Sequence, residues 1–98
     1  MNPLPEILPP PSIPSNVSPS AKWLSGEGAG SWFEIKKTNN NKNFMVKRYS
    51  PKGKLECSGN FVADKEIYLQ KDFQLTYPSF CNKISLIQNQ KVVTLNLK

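Results

Sequence analysis

After Trp32 apolar and polar residues alternate in short runs broken by turn residues, which is the signature of half-buried strands. Ser31 to Thr38 forms the first such run, Asn39-Asn40-Asn41-Lys42 interrupts it, and Asn43 to Ser50 resumes it. Ser50-Pro51-Lys52-Gly53 has proline at the second turn position and glycine at the fourth, which fits a type I turn leading into a glycine bulge. Leu55 to Val62 sets Leu55, Cys57 and Phe61 against Glu56, Ser58 and Asn60, so the first set is expected to face a core; Gly59 suggests a bulge or bend.

Ile67 to Gln70 and Phe73 to Tyr77 are expected to make one kinked strand or two short ones, ended by Pro78. Lys83 to Gln88 and Lys91 to Leu97 pair across Asn89-Gln90, with Val93, Leu95 and Leu97 facing in. No segment has a helical period, and Ala63 to Glu66 has room for one turn at most. The expected fold is therefore all-β, a small antiparallel meander of six or seven strands in sequential order, closed into a barrel or curled sheet, with an extended proline-rich N-terminal arm. Its expected core is Trp32, Leu55, Phe61, Val93 and Leu95.

Residues 1–21 hold seven of the nine prolines, which removes backbone donors and blocks helix or ladder pairing. They are expected to form a mobile, polyproline-like arm, with 22–98 as the folded domain. Leu8, Pro9, Pro10, Pro11, Ile13 and Pro14 are the candidate partner-binding residues, and Pro11-Ser12-Ile13-Pro14 has P-x-x-P spacing. A plain spacer has the same composition. Gly26, Gly28 and Gly30 follow the arm and lead into a strand, a context that fits neither a Walker loop nor a dinucleotide fingerprint. They are expected to let Trp23 fold back over the barrel mouth.

About eighty residues make one small core with little margin, so pairing with another copy is a further expectation. The net charge of +6 is concentrated, since no acid occurs between Ile35 and Leu55 while Lys36, Lys37, Lys42, Lys47, Arg48, Lys52 and Lys54 do. Such a span attracts anions. Lys47, Arg48, Lys52 and Lys54 are the candidate contacts to an anion or nucleic acid, with Phe44 and Tyr49 interleaved; a solvated hairpin that protects strand edges has the same pattern.

Catalysis has little to draw on: there is no histidine, and the acids fall on alternating or loop positions. No catalytic residue, metal ligand or cofactor is assigned. Cys57 and Cys81 cannot make a thiolate metal site alone and are expected to be small buried hydrophobes in strands rather than a disulfide. The N-terminus has no basic region or apolar run of a secretory signal, and nothing approaches the roughly 20 apolar residues of a membrane helix. The chain is read as soluble and cytoplasmic, unless a leader has been trimmed from it.

Gly30-Ser31-Trp32-Phe33-Glu34-Ile35 resembles the opening strand of lipocalins and related calycins, where Gly-x-Trp begins an up-and-down barrel. The resemblance implies that Trp32 plugs the closed end and that Trp32, Leu55, Phe61, Val93 and Leu95 line a cavity for a small apolar ligand. The chain departs from that family in being too short for eight full strands and in having no terminal helix and no late arginine to pack on the tryptophan. Without the likeness, Trp32 is an ordinary core aromatic.

The functional expectation is a non-enzymatic binding or adaptor module that contacts a protein partner through the proline-rich arm and the basic hairpin. Two alternatives stand beside it: a single-stranded nucleic-acid-binding small β-barrel, and a calycin-like carrier of a small apolar ligand.

Overall fold

The computed structural model describes residues 11–25, 30–76 and 79–98. Its elements are β1 (Lys22–Leu24), β2 (Ser31–Lys37), β3 (Asn43–Tyr49), β4 (Leu55–Ala63), β5 (Gln74–Thr76), β6 (Lys83–Gln88) and β7 (Lys91–Leu97). The described residues contain no helix, and none that could cross a membrane. All seven strands pair antiparallel in one sheet of order β1-β2-β3-β4-β7-β6-β5. Sequential order thus holds within β1–β4 and within β5–β7. The connection through residues 64–73 sets β7, rather than β5, beside β4. The two ends of the order, β1 and β5, come into contact, so the sheet curls into a nearly closed barrel.

The turns follow their residues. Gly53 N–H donates to Ser50 O at 2.9 Å and Ser50 N–H to Lys54 O at 2.8 Å, with Gly53 at φ +94°. Asn40 Oδ1 accepts from the backbone N–H of Lys42 at 2.8 Å and of Asn43 at 2.9 Å, closing the turn between β2 and β3. Asn89 and Gln90 both have positive φ, 52° and 64°, the type I′ geometry whose twist matches a tight hairpin.

One face of the sheet closes on Phe33, Phe44, Val46, Phe61, Ala63, Ile84, Leu86, Val93 and Leu95, all buried. Phe61, Val93 and Leu95 are core residues as expected, and Trp32 is buried at 4% exposure but on the opposite face from Phe33. Leu55, expected inside, is 50% exposed. Arg48 pairs with Cys57 while the next residue, Tyr49, pairs with Leu55, so Glu56 is an extra residue in β4. This bulge moves Leu55 to the outer face with Tyr49 and breaks the alternation that placed it beside Cys57. The irregularity is therefore at Glu56. Gly59 stays in register opposite Val46, and a Cβ there would meet Leu97 Cδ1 at 2.7 Å. Leu97 faces inward over Gly59 but sits on the barrel rim, 46% exposed rather than enclosed.

Two further expectations are corrected. Residues 67–70 form no strand, because the side chain of Gln88 occupies their backbone: Gln70 N–H donates to Gln88 Oε1 at 2.7 Å and Gln88 Nε2 donates to Tyr68 O at 2.7 Å. Ala63 ends β4 and no helix follows, in keeping with the all-β expectation; Asp64 N–H instead donates across to Thr94 O at 2.9 Å. Cys57 and Cys81 form a disulfide, with Cα atoms 6.0 Å apart, and Cys81 lies in the loop before β6 rather than in a strand. The strand order explains the bridge: the β4–β7 ladder covers only Phe61–Ala63, and the disulfide ties the earlier half of β4 to that loop. Tyr77 and Pro78 lie outside the described residues.

Phe61→Ala is expected to lose about 3–5 kcal/mol of stability and Leu55→Ala under about 0.5 kcal/mol in denaturant unfolding. Equal losses would put Leu55 in the core. Replacing Cys57 and Cys81 together by Ser is expected to cost about 2–4 kcal/mol. A matching drop in the melting temperature of the unaltered chain on adding reductant checks that the bond is the cause.

Candidate binding surface

β2 is unusual in burying four consecutive residues, Ser31 to Glu34, so both of its faces are covered there. Phe33 enters the barrel. Trp32 belongs to a second cluster with Val17, Ala21 and Tyr49, against which Trp23 packs. Trp23 pairs directly with Trp32, ring centroids 5.1 Å apart, so it stands on the outer face and not over the mouth. Gly30, at φ +88°, permits this: a Cβ there would fall 2.5 Å from the Trp23 ring.

The cover over this cluster is the C-terminal part of the proline-rich segment. Val17 N–H donates to Pro14 O at 3.0 Å and Ala21 N–H to Ser18 O at 3.0 Å, two turns that press Val17 and Ala21 inward. Ser18 N–H donates to Glu34 Oε2 at 2.9 Å, and Asn16 Nδ2 to Gly53 O at 2.7 Å. Residues 14–21 are thus a docked strap, which corrects the expectation that the whole arm stays off the core. The missed signal was Pro14-Ser15-Asn16, a turn-forming triplet set before a lone valine.

Of the candidate arm contacts, Leu8, Pro9 and Pro10 lie outside the described residues. Pro11 and Ile13 are exposed, whereas Pro14 is half-buried against the β3–β4 turn, its Cβ 2.8 Å from where a Gly53 Cβ would stand. The described arm therefore leaves the domain beside Lys52 and Lys54.

Of the four candidate cationic contacts, Lys47, Lys52 and Lys54 are exposed, but Arg48 is turned inward. Its Nε lies 3.0 Å from Ser31 Oγ and 3.3 Å from Glu56 Oε1, its guanidinium sits over the Phe33 ring at 5.9 Å, and Nη1 reaches Cys81 Sγ at 3.7 Å. The bulge that displaces Leu55 is what aims Glu56 at Arg48. This is the only ion pair among the described residues. Glu34, the acid on the outer face of β2, is buried and held by Ser18, which leaves Lys36 and Lys47 on that face with no ion-pair partner among the described residues.

Phe44 and Tyr49, the aromatics interleaved with these cations, are buried at 1% and 7% exposure. The five residues that the calycin likeness would gather round a cavity are not brought together: Phe61, Val93 and Leu95 pack in the core, Trp32 lies in the second cluster, and Leu55 faces out. Trp32 Nε1 is buried with no hydrogen-bond partner among the described residues. Among those residues no cluster of His, Cys, Asp or Glu could hold a metal ion.

The chain belongs to the DUF6695 C-terminal domain family, whose match spans residues 21–98 and so takes in all seven strands. No curated protein and no solved structure matches it.

Burial first, then the negative charge of Glu34 and the hydrogen bond Tyr49 makes to it, raise the Tyr49 phenol above its ordinary value of 10.0. The folded state holds this proton more tightly than the unfolded chain. Its contribution to stability is therefore complete below about pH 10 and is lost as pH climbs through the raised folded value. Tyr49→Phe is expected to lower stability at neutral pH and to make the fall above pH 10 shallower than in the unaltered chain. Parallel alkaline curves for the two proteins would rule out this source.

Proposed function

We propose that this member of the DUF6695 C-terminal domain family is a non-enzymatic binding module that engages an acidic protein partner through one composite surface. That surface joins Lys36, Lys47, Lys52 and Lys54 to the arm residues that precede Pro14. The observation that carries this reading is the seating of Pro14 and Asn16 on Gly53, which brings the emerging arm next to Lys52 and Lys54. An arm tethered beside a cationic patch raises the effective concentration of each for a partner that touches both. Exposed lysines with no ion-pair partner among the described residues supply long-range attraction, and an apolar proline-rich arm supplies contact area at small entropic cost.

Single-stranded nucleic-acid binding is less well supported, because such sites stack bases on exposed aromatics and Phe44 and Tyr49 are buried. The disulfide supports an oxidising setting for the module over the cytoplasm, since cytosolic thiols are kept reduced.

The test compares three proteins: the full chain, a chain lacking residues 1–13, and one with Lys36, Lys47, Lys52 and Lys54 replaced by Gln. Each is titrated with a polyglutamate peptide and a single-stranded oligonucleotide over a range of salt, and used to capture partners from native lysate. The lysine variant is expected to lose most polyglutamate binding and its salt dependence. The truncated chain is expected to keep that salt dependence but capture the partner at least about tenfold less well. Oligonucleotide affinity that exceeds polyglutamate affinity at equal salt would overturn the reading.

A further inference from the structure

A second, separate site lies at the barrel seam. β1 pairs with β2 only as far as Lys22 opposite Phe33, so the rest of β2, from Glu34 to Lys37, has no β1 partner. The chain before Lys22 turns away through the Ser18–Ala21 hydrogen bond, and the segment 69–73 leans in from the other side of the seam. Between them is an open cleft of about 440 Å³. A volume in this range is that of a small-molecule site.

The cleft is lined by two kinds of chemistry. Ile35, Leu69 and Phe73 give it an apolar wall continuous with the main core. Lys22, Lys37 and Lys71 stand around that wall, and no aspartate or glutamate among the described residues lines the cleft. Lys22 is not a free surface lysine. Its ammonium donates to Lys71 O at 2.6 Å and lies 4.8 Å from the centre of the Phe73 ring, so its position is fixed by two contacts that leave its charge unneutralised. Lys37 is exposed at the end of β2 with no ion-pair partner among the described residues.

A held cation beside an apolar wall is complementary to a molecule with one anionic end and an apolar body. We infer that this cleft binds a small amphipathic carboxylate, its apolar body against Ile35, Leu69 and Phe73 and its carboxylate between Lys22 and Lys37. An uncharged apolar molecule of the same length leaves the lysines without a partner. A cation is repelled by them. The site is independent of the composite surface proposed above, since Lys47, Lys52 and Lys54 do not line it.

The experiment titrates the full chain with octanoate, octanol and octylamine, followed by calorimetry and by backbone amide shifts. Octanoate is expected to saturate one site, with shifts concentrated at Ile35, Lys37, Leu69 and Phe73. Octanol is expected to bind at least about tenfold more weakly, and octylamine not to saturate. Lys37→Glu is expected to weaken octanoate by about fivefold or more at an unchanged melting temperature. Lys47→Glu, the same charge reversal on β3 outside the cleft, is expected to leave octanoate affinity as it was. Equal affinity for octanol, equal weakening by the two reversals, or octanoate shifts spread away from the cleft would each overturn the inference.

Discussion

Covering both faces of β2 is the constraint on which the rest of the molecule depends. A half-buried strand in a small barrel ordinarily presents one wet face, but β2 puts Phe33 inside the barrel and Trp32 outside it. An exposed tryptophan and tyrosine side by side would form a sizeable apolar patch, which a soluble monomer rarely leaves open. The strap of residues 14–21 closes it, fastened at one end by Asn16 to Gly53 and further along by Ser18 to Glu34. Ordering such a segment costs about 1–2 kcal/mol per residue in backbone entropy. Pro14 and Pro19 reduce that cost because their unfolded states have less freedom to lose. The prolines nearest the domain thus serve the fold.

The same economy governs the charges. Arg48 faces inward near the barrel end, where an unpaired guanidinium would be costly, and the extra residue at Glu56 brings a carboxylate to it. With a side-chain exposure of 30% for Arg48 and 39% for Glu56, solvent screens the pair, so its direct contribution is at most about 1 kcal/mol. Its larger effect is positional: Arg48 bridges Ser31, Glu56 and Cys81, from β2, β4 and the loop before β6. Glu34 is used under the strap in a comparable way. Both acids nearest the lysine-rich span therefore serve internal contacts, and the lysines around them keep their charge for solvent or a partner.

The strands were legible in the sequence to within a residue or two wherever period-two alternation met an unambiguous turn, as at Ser50-Pro51-Lys52-Gly53 and Asn89-Gln90. What escaped has three physical origins. A bulge inserts one residue without altering composition, so Leu55 reads as inward although Glu56 has reversed its face. Pairing partners are set in space, so neither the β4–β7 ladder nor the Cys57–Cys81 bond it makes feasible follows from spacing along the chain. Proline density signals missing donors, but Val17 and Ala21 show that a segment without a ladder can still dock through turns and a few side-chain bonds. Arg48 is the instructive case for the candidate surface. Sequence places it in a run of cations, and only its cross-strand opposition to the bulged Glu56 removes it from that set.

These placements divide the molecule into regions with different chemical prospects. The barrel interior is filled by Phe33, Phe44, Phe61, Ile84, Leu86 and Leu95, each nearly or fully inaccessible, so a ligand of the calycin kind would have to displace core side chains. Displacing even one such residue costs as much as a large-to-small core substitution, about 2–5 kcal/mol, before any ligand contact is made. Both binding proposals accordingly use the outside of the barrel and its seam. There the strap and the short β1 do opposite things: the strap seals the outer face of β2 at Trp32 and Glu34, and β1 stops at Lys22, leaving the far end of β2 open. Sealing the first region turns the arm toward Lys52 and Lys54. Leaving the second open sets Lys22 and Lys37 beside an apolar wall. One strand, closed at one end and open at the other, thus supports both binding proposals, and because they share no lysine each can be removed without the other.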